Sequence, residues 1–208
     1  MSIPLVERKN VDKLPDCVTH FSTNLNKQLY LEQLWPLYDW SAAQSGTIFG
    51  KSWSTEGRRQ SLHVAESANL VYKYNGAQQC QPPMLFSDIH LLVVKELRDI
   101  VKTITGVEYN FCLINFYTQL GVLGLHSDDE RGLDPSAPIA SLSFSHPVGR
   151  NFQFVNREHK KEKYKVVLES GDLLIMHSPC QQKYLHGVPI QTLPPEFVRV
   201  NLTFRKIQ

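Results

Sequence analysis

His126 and Asp128 stand two residues apart in LGLHSDDE, and in an extended segment that spacing sends both side chains off the same face. An imidazole beside a carboxylate is the start of a divalent-metal site that still needs a third donor. His186, in KYLHGVP on a later segment, can supply it, and His177 stands close enough in sequence to compete. HxD alone is a weak signal, because a lone histidine is more often packed or solvated than ligating. The chemistry on offer is that of an ion with open coordination positions.

Two histidines and one carboxylate on one face of an ion match the facial triad of non-haem Fe(II) oxygenases. The C-terminal segment FVRVNLTFRKI sharpens that match. Arg199, Asn201, Thr203 and Arg205 alternate with Val200, Leu202 and Phe204, so one face is wholly polar and the other wholly apolar. So apolar a second face suits a central strand, and a buried guanidinium needs an anion, best a carboxylate that fits its fork. Two such arginines suit a dicarboxylic cosubstrate such as 2-oxoglutarate, one for each carboxylate. In FCLINFY, Asn115 and Tyr117 share a face with Leu113 and would project an amide and a phenol into the same cavity.

These residues need a scaffold of short strands. Candidate strands lie at 110–118, 122–126, 138–145, 151–156, 164–168, 172–177, 184–188 and 197–206, most of them separated by Gly, Pro, Asn or Ser. Helices are expected near 25–38, from the leucine spacing, and over 88–104, with Ser87 or Asp88 as N-cap and an end before Gly106. The expected fold is therefore mainly β with flanking α-helices, built on a double-stranded β-helix (jelly-roll) core able to enclose a small ligand. One domain over 1–208 accommodates a helical lead (1–45), glycine-punctuated surface hairpins (46–76) and the core (109–208).

Composition narrows the classes. Hydrophobic residues make up 42% and charged residues 20%, as in an ordinary globular protein. A formal net charge of +2 does not by itself argue for a nucleic-acid partner. Cys17, Cys80, Cys112 and Cys180 form no CxxC pair, which speaks against a structural zinc site or a disulfide-stapled secreted domain. No signal peptide and no run of roughly 20 apolar residues is present, so a nuclear or cytosolic monomer without a membrane partner is expected.

LINFY, HSDDER, PIASLSF, SGDLLIMHSP, YLHGVP and RVNLTFR, in that order, resemble the AlkB-type dioxygenases that oxidatively remove alkyl groups from nucleic-acid bases. The resemblance covers roughly 46–208. It implies His126, Asp128 and His186 as Fe(II) ligands, with dioxygen and 2-oxoglutarate as cosubstrates. It implies Asn115, Tyr117, Arg199, Asn201 and Arg205 as 2-oxoglutarate ligands, with Arg205 nearer the metal end and Arg199 with Tyr117 at the distal carboxylate. It makes His177 a bystander.

Within that family the chain is most similar to the animal member acting on double-stranded DNA. IFGKSW and RRQS resemble its damage-probing hairpin, and NLVYKYNG resembles the segment that stacks on a flipped base; Gly57 stands where a proline usually precedes the arginine. The implied reaction is demethylation of 1-methyladenine or 3-methylcytosine, releasing formaldehyde and succinate. Lesions that cannot pair are the cheapest to flip out of a duplex. Phe49 would wedge into the vacated gap. Tyr72 and Tyr74 would line the base pocket, and Glu130 would accept a hydrogen bond from the exocyclic amino group. Lys51, Arg58, Arg59, Lys73 and, around the 146–165 turn, Arg150, Arg157, Lys160, Lys161, Lys163 and Lys165 would meet phosphates. Asp129 has no role beyond orienting Arg58 or Arg59. Two rivals stand beside this reading: single-stranded DNA or RNA as substrate, and a jelly roll that binds nucleic acid without catalysis.

Overall fold

The computed structural model describes residues 6–8, 14–48, 51–70, 72 and 82–208. The chain opens with strands β1 (Val6–Arg8) and β2 (Val18–Thr23) and helix α1 (Lys27–Leu34). Short strands β3 (Ala42–Ala43), β4 (Ser45–Ile48) and β5 (Lys51–Ser54) follow, then β6 (Arg59–Ala65) and β7 (Met84–Leu85). Helix α2 (Leu92–Thr105) leads into β8 (Phe111–Thr118), β9 (Leu123–His126), β10 (Ile139–His146), β11 (Arg150–Asn156), β12 (Lys163–Leu168) and β13 (Asp172–Met176). A short helix α3 (Cys180–Lys183) precedes β14 (Tyr184–Val188) and β15 (Val198–Arg205).

Among the described residues the strands form a large sheet in the order β1-β2-β13-β10-β15-β8-β6-β3, with β7 beside β6, and a smaller sheet β12-β11-β14-β9. Hairpin β4-β5 stands apart from both. All pairings are antiparallel except β6 with β7.

Alternation along the central strands builds two cores. Val200, Leu202 and Phe204 of β15, with Ile114 and Phe116 of β8, pack against Leu31, Leu34, Val94, Leu97 and Val101 of α1 and α2. Each large side chain so buried contributes roughly 1.5–3 kcal/mol. The opposite face of the large sheet meets the small one through Tyr117, Leu174, Met176, Phe152, Phe154 and Val188. The jelly roll thus has helices on one side and a partly polar, enclosed space on the other.

The eight expected strands appear within a residue at each end. Helix ends follow from local chemistry. The Asn26 side chain accepts from Leu29 N at 3.2 Å to start α1, and Pro36, which has no amide hydrogen, coincides with a switch to a 3-10 turn over Trp35–Trp40. Asp88 caps the 3-10 turn Ile89–Leu91 rather than α2 itself, and Gly106 closes α2 at φ 73°. Besides the short strands β1, β3 and β7, two pairings of the large sheet were not anticipated. β2 lies in the expected helical lead and pairs with β13, and β6 lies in the expected surface hairpins yet joins the large sheet beside β8.

Candidate active site

His126 ends β9 and His186 sits within β14, directly opposite in the antiparallel register, with ring centroids 4.4 Å apart. Asp128 follows in the loop, held by its own amide donating to Gln181 Oε1 at 2.9 Å. One ligand atom from each of the three lies within 4.8 Å of the others, a span that one ion bridges. His177 is elsewhere, with its Nε2 2.9 Å from Thr19 Oγ1.

Protonation states suit a cation. His126 Nδ1 lies 2.9 Å from the Gly124 carbonyl, which can only accept, so Nδ1 carries a proton and Nε2 is the nitrogen turned toward Asp128, 3.6 Å away. Burial pushes His186 down to about 3, so it is neutral. Burial alone would push Asp128 up, but Arg205, His186 and His126 outweigh it and hold the carboxyl down to about 2. Arg205 Nη2 sits 2.7 Å from Asp128 Oδ1, tying the metal loop to the last strand of the large sheet.

Next to the triad, β15 and β8 present the polar face. Arg199 lies opposite Tyr117 and Asn201 opposite Asn115, so all four project into the space between the sheets. Arg199 is 0% exposed, with its guanidinium 5.0 Å over the Tyr117 ring and Nη2 donating to Ser143 Oγ at 2.8 Å. Among the described residues its Nε and Nη1 make no hydrogen bond of good geometry, the Tyr117 phenol being the polar group beside them. Burial lowers its pKa, while Tyr117 acts in the opposite sense. A buried guanidinium with two unmatched donors is a costly arrangement that a carboxylate would relieve. Asn201 Nδ2 donates to Ser141 Oγ and the Leu142 carbonyl, so serines of β10 also line the cavity. Ser141 and Ser143 were not singled out from sequence, although the alternation in IASLSFS marks them.

The residues expected at nucleic acid are dispersed. Tyr72 is buried, stacked on Phe111 with Arg205 4.7 Å over its ring, so it borders the metal site through Arg205. Glu130 lines a cavity of about 190 Å³ shared with Asp128, Ile139, Met176 and Arg205. Burial raises its carboxyl, with Arg205 and Tyr72 pulling the other way. Arg58 is exposed near the base of the β4-β5 hairpin. Lys51 belongs to β5, but its side chain, Phe49, Lys73 and Tyr74 lie outside the described residues.

Three expectations are corrected. Arg150 is not a phosphate contact: it is 1% exposed and donates to the Gly121 and Pro189 carbonyls at 2.8 and 2.7 Å. Burial first, then repulsion from Arg199, hold it down to about 10. Arg59 also turns inward, donating to Asn115 Oδ1 at 2.8 Å. Asp129 orients neither Arg58 nor Arg59 but pairs with Arg157 at 3.2 Å. Arg150→Ala, which leaves those carbonyls without a donor and a cavity behind, is expected to destabilise the fold by about 3 kcal/mol in urea unfolding. The salt dependence of oligonucleotide binding should be unchanged; a shallower slope would return Arg150 to the phosphate-binding set.

Residues 7–205 match the sequence pattern of the 2OG-Fe(II) oxygenase superfamily. The chain belongs to this superfamily. The human protein named DNA oxidative demethylase ALKBH2 is 35% identical over 170 residues, covering 77% of this chain and 60% of that protein. Its Arabidopsis thaliana namesake is 25% identical over 213 residues, covering 88% and 65%. Rat alpha-ketoglutarate-dependent dioxygenase alkB homolog 3 is 35% identical over 126 residues, covering 56% and 42%. This chain therefore spans less than two thirds of the length of these curated relatives. The solved structure of OsALKBH1 superposes with a TM-score of 0.58 over 94% of this chain and 100% of that one; at 21% identity this likeness concerns the fold.

Superfamily membership implies Fe(II), 2-oxoglutarate and dioxygen, and the residues present fit them. The triad offers two imidazoles, that of His186 neutral, and one ionised carboxylate to the ion. Arg199, with its two unmatched N–H donors, suits the cosubstrate's carboxylate. No helix among the described residues is long and apolar enough to cross a membrane.

Proposed function

We propose that this 2OG-Fe(II) oxygenase is an oxidative demethylase of N-alkylated bases in DNA, acting on 1-methyladenine and 3-methylcytosine, with duplex as its preferred substrate. The observation that carries the oxygenase reading is the unmatched Arg199 guanidinium buried close to a complete His-Asp-His triad. Support for DNA comes from the relatives' names and from the isolated β4-β5 hairpin, which ends where the IFGK turn begins. The enzyme would work as a monomer in the nucleus or cytosol.

His126, Asp128 and His186 hold the ion, and Arg205 keeps Asp128 ionised and oriented. Arg199, Tyr117, Asn115 and Asn201 bind 2-oxoglutarate, with Arg199 and Tyr117 at its distal carboxylate and Arg205 toward the metal end. Iron, once bound with cosubstrate and dioxygen, supplies the oxidation of the N-methyl carbon; the resulting hemiaminal loses formaldehyde and restores the base, and 2-oxoglutarate leaves as succinate and carbon dioxide. Glu130 offers a carboxyl oxygen to the exocyclic amino group that adenine and cytosine share, and Tyr72 and Tyr74 flank the base. Lys51 and Arg58 contact phosphate, and Phe49 fills the gap in the stack.

Aerobic incubation with Fe(II), 2-oxoglutarate and methylated duplex, single-stranded DNA and RNA in parallel tests the whole reading by mass spectrometry. Loss of a methyl mass from none of them would sink it, leaving the non-catalytic binding module. Phe49→Ala is expected to slow repair of duplex at least fivefold and of single strands less than twofold, because flipping costs a few kcal/mol only in the duplex. Equal losses on both would remove the wedge and favour single-stranded substrates.

A further inference from the structure

Arg59 is 8% exposed, and its guanidinium reaches into the protein rather than toward solvent. β6 runs antiparallel to β8 with Ser61 opposite Asn115 and Arg59 opposite Tyr117. Arg59 and Ser61 share a strand face, so both deliver donors to one atom. Asn115 Oδ1 accepts from Arg59 Nη1 at 2.8 Å and from Ser61 Oγ at 2.8 Å. Arg59 Nη1 also reaches Ser61 Oγ at 3.2 Å, and Nη2 donates to Gln44 Oε1 at 2.7 Å. All these partners are neutral oxygens.

The far end of this chain of contacts is fixed. Gln44 and Thr55 close the base of the β4-β5 hairpin, with Gln44 N donating to Thr55 Oγ1 and Thr55 N to the Gln44 carbonyl, both at 2.8 Å. The Arg58 and Arg59 amides both donate to the Thr55 carbonyl, at 3.0 and 2.8 Å. The guanidinium therefore spans from a clamped loop to the cavity wall.

An asparagine amide can present either its oxygen or its nitrogen at one place, since the two ends are nearly the same size. Two donors on Oδ1 remove that freedom. Nδ2 is then turned away from Arg59, and among the described residues it has no hydrogen-bond partner. Toward a carboxylate the difference is large: N–H attracts it and C=O repels it.

We propose that Arg59 is a positioning residue that locks the Asn115 amide with its N–H donors toward the 2-oxoglutarate cavity, anchored through Gln44 to the base of the β4-β5 hairpin. This rests on the reading of Asn115 as a cosubstrate ligand. The orientation is set before the cosubstrate arrives, so the effect falls on cosubstrate binding rather than on the oxidation.

The test uses the full chain with Fe(II), a methylated oligonucleotide and varied 2-oxoglutarate, reading KM and kcat separately. Arg59→Gln is expected to raise the 2-oxoglutarate KM about tenfold, with kcat and the oligonucleotide KM within twofold. Arg59→Lys, which keeps a cationic donor without the fork, should recover part of the loss. Gln44→Ala should cost about threefold by loosening the anchor. If Arg59→Gln fails to fold, Ser61→Ala, which removes the other donor to the same oxygen, should raise the KM about threefold. A higher oligonucleotide KM with an unchanged 2-oxoglutarate KM would overturn the proposal and place Arg59 at phosphate. Asn115→Ala separates the two levels. If that variant also leaves the 2-oxoglutarate KM unchanged, the cosubstrate reading of Asn115 fails; if it alone raises the KM, only the role of Arg59 fails.

Discussion

Asp128→Ala is expected to lower 2-oxoglutarate turnover at least a thousandfold, with succinate release and demethylation falling together. The substitution removes the one anionic ligand of the triad and leaves two imidazoles to hold the ion. It also takes from Arg205 the carboxylate whose Oδ1 lies 2.7 Å from Nη2, with both side chains almost wholly buried. Breaking one partner from a buried ion pair costs about 3–5 kcal/mol, so the folded apo-protein should also lose thermal stability. Metal titration monitored by tryptophan fluorescence separates the two effects, because a folded variant that binds no ion locates the defect at the site. Undiminished demethylation by Asp128→Ala would refute the metal assignment outright.

Arg199→Met should move activity and stability in opposite directions. On its proposed role the variant loses a forked cation for the distal carboxylate, where two charge-assisted hydrogen bonds would contribute about 1.5–3 kcal/mol each, so the 2-oxoglutarate KM should rise at least a hundredfold. Without cosubstrate, however, Arg199 is a fully buried cation with two unmatched donors. It also repels Arg150. An apolar side chain of similar length removes both penalties, so the apo melting temperature should hold or rise. Calorimetry with and without 2-oxoglutarate checks both halves: the parent should be stabilised by the cosubstrate and the variant should not. A KM within threefold of the parent would show that the distal carboxylate binds elsewhere.

How far the sequence could be read depended on whether a residue's surroundings leave a periodic trace. Arg199, Asn201, Thr203 and Arg205 were legible as a group because the alternation with Val200, Leu202 and Phe204 fixes a central strand and hence buries the polar face. The other strands from 110 onward were legible because Gly, Pro, Asn or Ser breaks set off short apolar runs. Arg59 and Arg150 were not. Each is a cation in a polar, glycine-bearing stretch, and charge alone does not say whether a guanidinium faces phosphate or a ring of carbonyl and amide oxygens. β6 shows no strict alternation, since it is buried almost throughout, and β2 is a six-residue strand in a lead whose leucine spacing reads as helical. Gln181, which orients Asp128 through its backbone amide, gave no signal, because that contact joins residues 53 positions apart.

The two faces of β15 have a consequence for how such a protein can change. Its apolar side belongs to the helix-covered core, while its polar side lines the cavity, so the demands of folding and of reactivity fall on alternate residues of one eight-residue strand. Substitutions on the cavity side can re-shape what is accepted there without disturbing the helices behind it. Divergence toward new substrates can therefore proceed along this strand in steps of two, each leaving an intact framework for the next.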